Sequence, residues 1–199
     1  FSLKNITIKS VNLENANFNL NKKNSDFFLK LFDNNFAEGN LSIKKSNIFF
    51  QNTDQEVLFM NKIINMKYYY DPKELRNIVT SENEIFNIPY SLISYKDKIE
   101  KKFFSKINFN FLKLQIENEL YYGNDQKKGS TNFIYNKNKS KVSYEFNKNY
   151  FNFNFLDTFV KPKFFYEGNI IFNPFYSIFM GNTDKIHMSH IFASNSFFS

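Results

Sequence analysis

The feature that most restricts the fold of this chain is the strict alternation of apolar and polar residues. In YFNFNFL, Phe151, Phe153 and Phe155 alternate with asparagine. Successive side chains of a β-strand point to opposite faces, whereas a helix would scatter these phenylalanines around its axis. The same period recurs along the chain. Ile6 and Ile8 alternate, then Val11 and Leu13, then Ala16, Phe18 and Leu20. The apolar parity changes between these groups, which implies bulges or strand breaks. Leu41 and Ile43 follow, then Ile48 and Phe50. Asn52–Gln55 reads as a turn from which Glu56–Met60 returns. Ile64, Met66, Tyr68 and Tyr70 share a parity, and Ile85 to Tyr95 reads as one strand that Pro89 confines to an edge or a bulge.

In the second half, Ile107, Phe109 and Phe111 share one parity, while Leu112, Leu114 and Ile116 take the other. Val142, Tyr144 and Phe146 alternate after the lysine-rich turn Asn136–Lys141. Tyr166, Ile170 and Phe172 do so around Gly168. Helical spacing is confined to short pieces. In Ser25–Phe36, Phe28, Leu31, Phe32 and Phe36 recur at i, i+3, i+4 and i+8 behind Ser25 as N-cap. A second short helix is expected over 184–193, and one helical turn in PKELRNI after Asp71. The pattern therefore predicts a mainly β fold of roughly ten to twelve strands with one or two short helices. Its form is a long antiparallel meander over residues 1–199, apolar on one face and polar on the other. A sandwich would bury the apolar face against a second sheet and a barrel against itself. The form expected here is a long, strongly curved sheet that leaves it as an open groove.

Composition narrows the chemistry. There is no cysteine, which excludes disulfide scaffolds, zinc ribbons and thiol catalysis. Five glycines cannot build a phosphate-cradling loop. Asp184, His187 and His190 are the sole arrangement with metal-ligand spacing, and a polar helix face explains them as well. No metal or other cofactor is expected. Glu82/Glu84 and Glu117/Glu119 are carboxylate pairs of the kind a solvent-facing strand produces. With no nucleophile elbow either, no enzymatic activity is expected. The net charge of +7 comes from 25 lysines and a single arginine, Arg76, beside 32 asparagines. Nucleic-acid readers favour the arginine fork, so no nucleic-acid partner is expected. The longest unbroken apolar run, Val57–Met60, has four residues, against the ~18–20 of a membrane-spanning helix. The opening at Phe1 and the ending on SHIFASNSFFS read as those of an internal segment of a longer protein.

Three stretches carry a family likeness: FAEGNLSIKKSNIFFQNTDQEVLF, YYYDPKEL and NEIFNIPYSL. Their succession resembles the periplasmic β-rich region of AsmA-family proteins of Gram-negative bacteria, including TamB-like and other bridge-type lipid-transfer relatives. The likeness assigns a first strand to Gly39–Ile43, a second to Ile48–Gln51, a polar turn to Asn52–Gln55 and a returning strand to Glu56–Phe59. It implies a non-enzymatic periplasmic segment of a protein anchored in the inner membrane outside this stretch. The implied role is envelope biogenesis, with phospholipid or another acyl-chain lipid as the partner.

The residues expected to line an acyl-chain groove are Ile107, Phe109, Phe111, Phe151, Phe153, Phe155, Ile170 and Phe172. Two other readings remain open. One is a fragment of an outer-membrane β-barrel; the other is a structural β domain scaffolding outer-membrane protein assembly.

Overall fold

The computed structural model describes residues 10–21, 24, 40–52, 54–97, 99–122, 125–157, 165–172 and 175–182. These form thirteen strands of one sheet. The first half holds β1 (Ser10–Glu14), β2 (Asn17–Leu20), β3 (Asn40–Gln51), β4 (Val57–Asp71), β5 (Arg76–Ile85) and β6 (Ile88–Asp97). Next come β7 (Lys102–Phe109), β8 (Leu114–Tyr121), β9 (Lys127–Tyr135) and β10 (Asn138–Phe146). The last three are β11 (Tyr150–Asp157), β12 (Phe165–Phe172) and β13 (Phe175–Asn182).

From β3 to β13 the order in space is the order in sequence, every pair antiparallel. β1 and β2 lie in succession along the outer edge of β3, both parallel to it. The sheet is open and uncurled. Each strand packs against its ladder neighbours, so neither barrel closure nor a second sheet is present among the described residues. The strong curvature expected from the sequence is not seen. The helices expected over 25–36 and 184–193, with Asp184, His187 and His190, lie outside the described residues. The helical turn expected at PKELRNI is instead a tight turn, Pro72–Leu75, followed by β5. Asp71 decides this: its carboxylate accepts from the backbone N–H of Lys73 (2.9 Å) and Glu74 (3.4 Å), the local bonding that favours a turn over a helix.

The parity changes have a physical origin. Asn15 (φ 57°) and Lys45 (φ 45°) are left-handed, and each adds one residue between apolar runs of opposite parity. Val11 and Leu13 stand beside Leu41 and Ile43, and beyond the break Phe18 and Leu20 stand beside Ile48 and Phe50. Ser46, fully buried, holds this kink. Its Oγ accepts from Ala16 N–H (3.0 Å) and donates to Lys44 O (2.7 Å). The irregularity continues into β4, where the ladder to β5 shifts between Ile63 and Asn65. Ile63 is therefore buried and Ile64, expected inside, is 42% exposed. The core is small: Leu41, Ile43, Ile63 and Tyr68, flanked by Val11, Leu13, Phe18, Ile48, Met66 and Val79.

Two hairpins were not legible from the alternation. Ile85 to Tyr95 is not one strand, because Phe86–Asn87 turns the chain with both residues at positive φ (50° and 63°). Pro89 then lies in β6, an interior strand, but the ladder to β7 begins only at Ser91. Its missing N–H therefore costs no ladder bond. Likewise the chain reverses between Phe109 and Leu114, which pair across β7 and β8. Phe111, expected on the strand beside Phe109, sits in that turn and is 80% exposed. Leu114 and Ile116, of opposite numerical parity, rejoin the face of Ile107 and Phe109 because a four-residue turn intervenes.

Candidate functional site

Directly paired residues of a ladder share a face, so the register fixes which side chains lie together. One row crosses ten strands: Leu41, Tyr68, Val79, Ser94, Ser105, Asn118, Thr131, Val142, Phe155 and Tyr166. From Val79 to Val142 no side chain in this row is larger than valine, while Tyr68 and Phe155 stand at its two ends. One flanking row runs Ser81, Leu92, Ile107, Ile116, Phe133 and Ser140, the other Asn77, Lys96, Phe103, Leu120, Gly129 and Tyr144. Over β6, β7 and β8 the low row lies between taller side chains on both sides, and the Tyr144 hydroxyl reaches it from β10 at Asn118. This trough spans two interstrand gaps, about 10 Å, and the flanking rows two residues away on either side stand roughly 13 Å apart.

The floor of the trough is polar, with hydrogen bonds at Ser94 and Asn118. Ser94 Oγ donates to Phe104 O (3.0 Å), and Thr131 Oγ1 donates to Asn118 Oδ1 (2.8 Å). Tyr144 lies across Gly129, where a Cβ would stand 2.6 Å from its ring, and its hydroxyl also donates to Asn118 Oδ1. Gly168 leaves room in the same way for Phe153 and for Phe179, whose ring a Cβ would approach to 2.7 Å. Near the other end Tyr90 donates to Asn61 Oδ1 (2.8 Å). Burial pushes the phenols of Tyr90 and Tyr144 above their ordinary range, outweighing the hydrogen bonds they make.

Seven of the eight residues expected in a groove share this face. Ile107 stands on the trough's flank, and Phe109 lies one row beyond it against the Tyr90 ring at 5.2 Å. Phe155 lies in the same row as the trough floor, on β11. Phe151 and Phe153 join an aromatic patch with Tyr144 and Phe146, ring separations 6.0–6.3 Å. Ile170 and Phe172 follow on β12. β7 and β11 are four strands apart, so these seven form two groups about 19 Å from one another, and Phe111 belongs to neither. The floor residues Ser94, Ser105, Asn118 and Thr131 escaped the reading by sequence because it followed apolar residues alone. Their signal was present: each occupies a position whose neighbours two residues away are apolar on at least one side.

The opposite face is charged. Lys62–Glu84 (3.8 Å), Lys102–Glu119 (3.5 Å), Lys106–Glu117 (3.2 Å) and Lys128–Glu145 (3.4 Å) are cross-strand pairs. The carboxylates of Glu84, Glu117 and Glu119 are thus engaged with lysines. Lys102 is held above the usual lysine range, with burial opposing its charge and Glu119 the main group favouring it. A depression of about 650 Å³ lies on this face, lined by Lys128, Glu145, Asn152, Glu167, Ile178 and Met180 among others. Two of its charges are paired with each other: Glu145 takes both Lys128 (3.4 Å) and an Asn152 amide (3.2 Å). Among the described residues no cluster of three His, Cys, Asp or Glu could hold a metal, and no helix is long and apolar enough to cross a membrane. No protein-family model, curated protein or solved structure matches this chain.

Proposed function

We propose that this chain is a non-enzymatic lipid-holding segment of an AsmA-like envelope protein, with acyl chains lying along the apolar face of the sheet. The observation that carries the reading is the trough. It is about one chain wide and about 10 Å long where taller side chains flank it on both sides, enough for part of the ~15 Å of hydrocarbon in one bilayer leaflet. Each methylene seated between its flanks contributes about 0.8 kcal/mol. The groove anticipated from the sequence is, on this reading, a linear depression in an open sheet. The resemblance of Gly39–Phe59 and its neighbours to AsmA-family proteins supplies the remaining elements. These are phospholipid as the cargo, the periplasm as the compartment, and an inner-membrane anchor elsewhere in the full-length protein.

Native mass spectrometry of the chain purified from a Gram-negative host tests the reading. Co-purifying phospholipid is expected on the wild type. Ser105→Leu, which fills the trough floor, and Phe153→Asp, which places a charge on the aromatic patch, should each lower occupancy at least fivefold with the β-sheet circular dichroism retained. Phe109→Asp should act in the same direction. A wild-type protein that is consistently free of lipid would sink the proposal.

A further inference from the structure

The two edges of the sheet differ in kind. The edge formed by β1 and β2 is blunted: its strands have five and four residues, Asn15 at φ 57° separates them, and Glu14 is tied to Lys45 at 2.9 Å. β13 ends the strand order at the other edge and has none of these devices. Phe175–Asn182 is an unbroken strand of eight residues with no charge and no proline. Among the described residues nothing pairs its outer backbone edge. It is also apolar on both faces. Phe175 and Phe179 stand on the trough face, while Tyr176, Ile178 and Met180 stand on the other, where β11 and β12 place Asn152, Asn154, Glu167 and Asn169. All five large side chains are exposed, Phe175 most at 75%.

The glycines of the sheet select what completes this edge. Each glycine in the described strands stands directly across a ladder from an aromatic ring: Gly129 from Tyr144, Gly168 from both Phe153 and Phe179, and Gly181 from Tyr166. The missing Cβ is what admits the ring, as at Gly168, where a Cβ would collide with the rings on either side. Gly181 has a ring on its β12 side and a bare edge on the other. β13 itself carries the ring that fits there. A twofold axis through Ile178, normal to the sheet, sets a second β13 antiparallel to the first and brings Phe175 of each copy opposite Gly181 of the other. The same axis pairs Tyr176 with Met180 and Ile178 with itself, and it keeps like faces together. An isologous contact repeats every charge on both sides of its axis, so an uncharged strand avoids like-charge repulsion. Eight residues paired in this way bury on the order of 1,000 Å², the lower limit for a specific interface. We propose that two copies of this chain join edge to edge through β13 into one continuous antiparallel sheet. The pairing needs no lipid and is independent of the trough.

Sedimentation equilibrium of the full chain at concentrations up to about 200 μM tests this. Wild type should reach twice the 23.9 kDa chain mass. Ile178→Lys, which sets two ammonium groups against each other on the axis, should be monomeric, and so should Ile178→Glu. An equimolar mixture of the two should recover the dimer, which also shows that both variants fold. Phe175→Ala should raise the dimer dissociation constant about tenfold. The chain has no cysteine, so Ile178→Cys should oxidise to a covalent dimer. Asn12→Cys, at an exposed position on the opposite edge, should not. The proposal is overturned if wild type is monomeric throughout, whether its edge is bare or covered by another part of the same chain. It is overturned equally if the charged variants dimerise alone as wild type does, or if Asn12→Cys cross-links as readily as Ile178→Cys.

Discussion

Tyr90 and Tyr144 show how single residues reconcile polar groups with an apolar face. Each donates its hydroxyl to an asparagine side-chain oxygen on that face. The raised phenol pKa values carry a pH dependence. The folded state favours the protonated phenol, so its contribution is fully present below the ordinary value of 10.0 and is lost as pH climbs from there through the raised folded values. Urea midpoints should therefore fall more steeply above about pH 10 for the wild type than for the Tyr90→Phe/Tyr144→Phe double variant. Equal slopes would contradict the assignment. Conformation at single residues is also unusual. Ten described residues other than glycine adopt positive φ, among them Leu75, Phe86, Lys101 and Lys113, and no described glycine does. The few glycines serve instead as floors under aromatic rings, at Gly129 and Gly168.

Among the elements, the kink shared by β1, β2 and β3 is the clearest structural device. Ser46 bonds both across it and along it, and Ser46→Ala would strand the Ala16 N–H beside a fully buried position. The expected loss is about 1–3 kcal/mol in urea denaturation, and a loss below about 0.5 kcal/mol would show that water or a shifted backbone replaces the hydroxyl. This kink was legible in sequence, because Val11 and Leu13 against Ala16, Phe18 and Leu20 can share a face only if one residue is added. Alternation also identified the strands and the face shared by Ile107, Phe109, Phe151, Phe153, Phe155, Ile170 and Phe172. It failed where a turn lacks turn chemistry. Phe86–Asn87 and Asn110–Lys113 contain neither glycine nor proline, so two hairpins read as continuous strands and Phe111 was placed on a strand. It failed again at Ile63 and Ile64, where a bulge exchanges two adjacent isoleucines and composition cannot say which is buried. The trough went unnoticed because register, which sets Ser94, Ser105, Asn118 and Thr131 in one row, is a property of strand pairs.

At the scale of the whole molecule, one open sheet has a face crossed by lysine–glutamate pairs and an opposite face where taller side chains flank a polar row from β6 to β8. Burial among the described residues is concentrated near β3–β6, and exposure of large apolar side chains rises toward β13, where Phe175 and Phe179 are 75% and 60% exposed. Such a sheet has more apolar surface than it covers with its own described strands, and a hydrocarbon ligand along the trough would bury part of it. The most direct measurement is photo-cross-linking with a phosphatidylcholine that carries a diazirine along one acyl chain, followed by mapping of the adducts. The expected adducts fall on the trough's flanks, at Leu92, Ile107, Ile116, Phe103 and Leu120, and are lost in Ser105→Leu. Adducts confined to the charged face, or scattered without regard to face and unaffected by Ser105→Leu, would contradict the account.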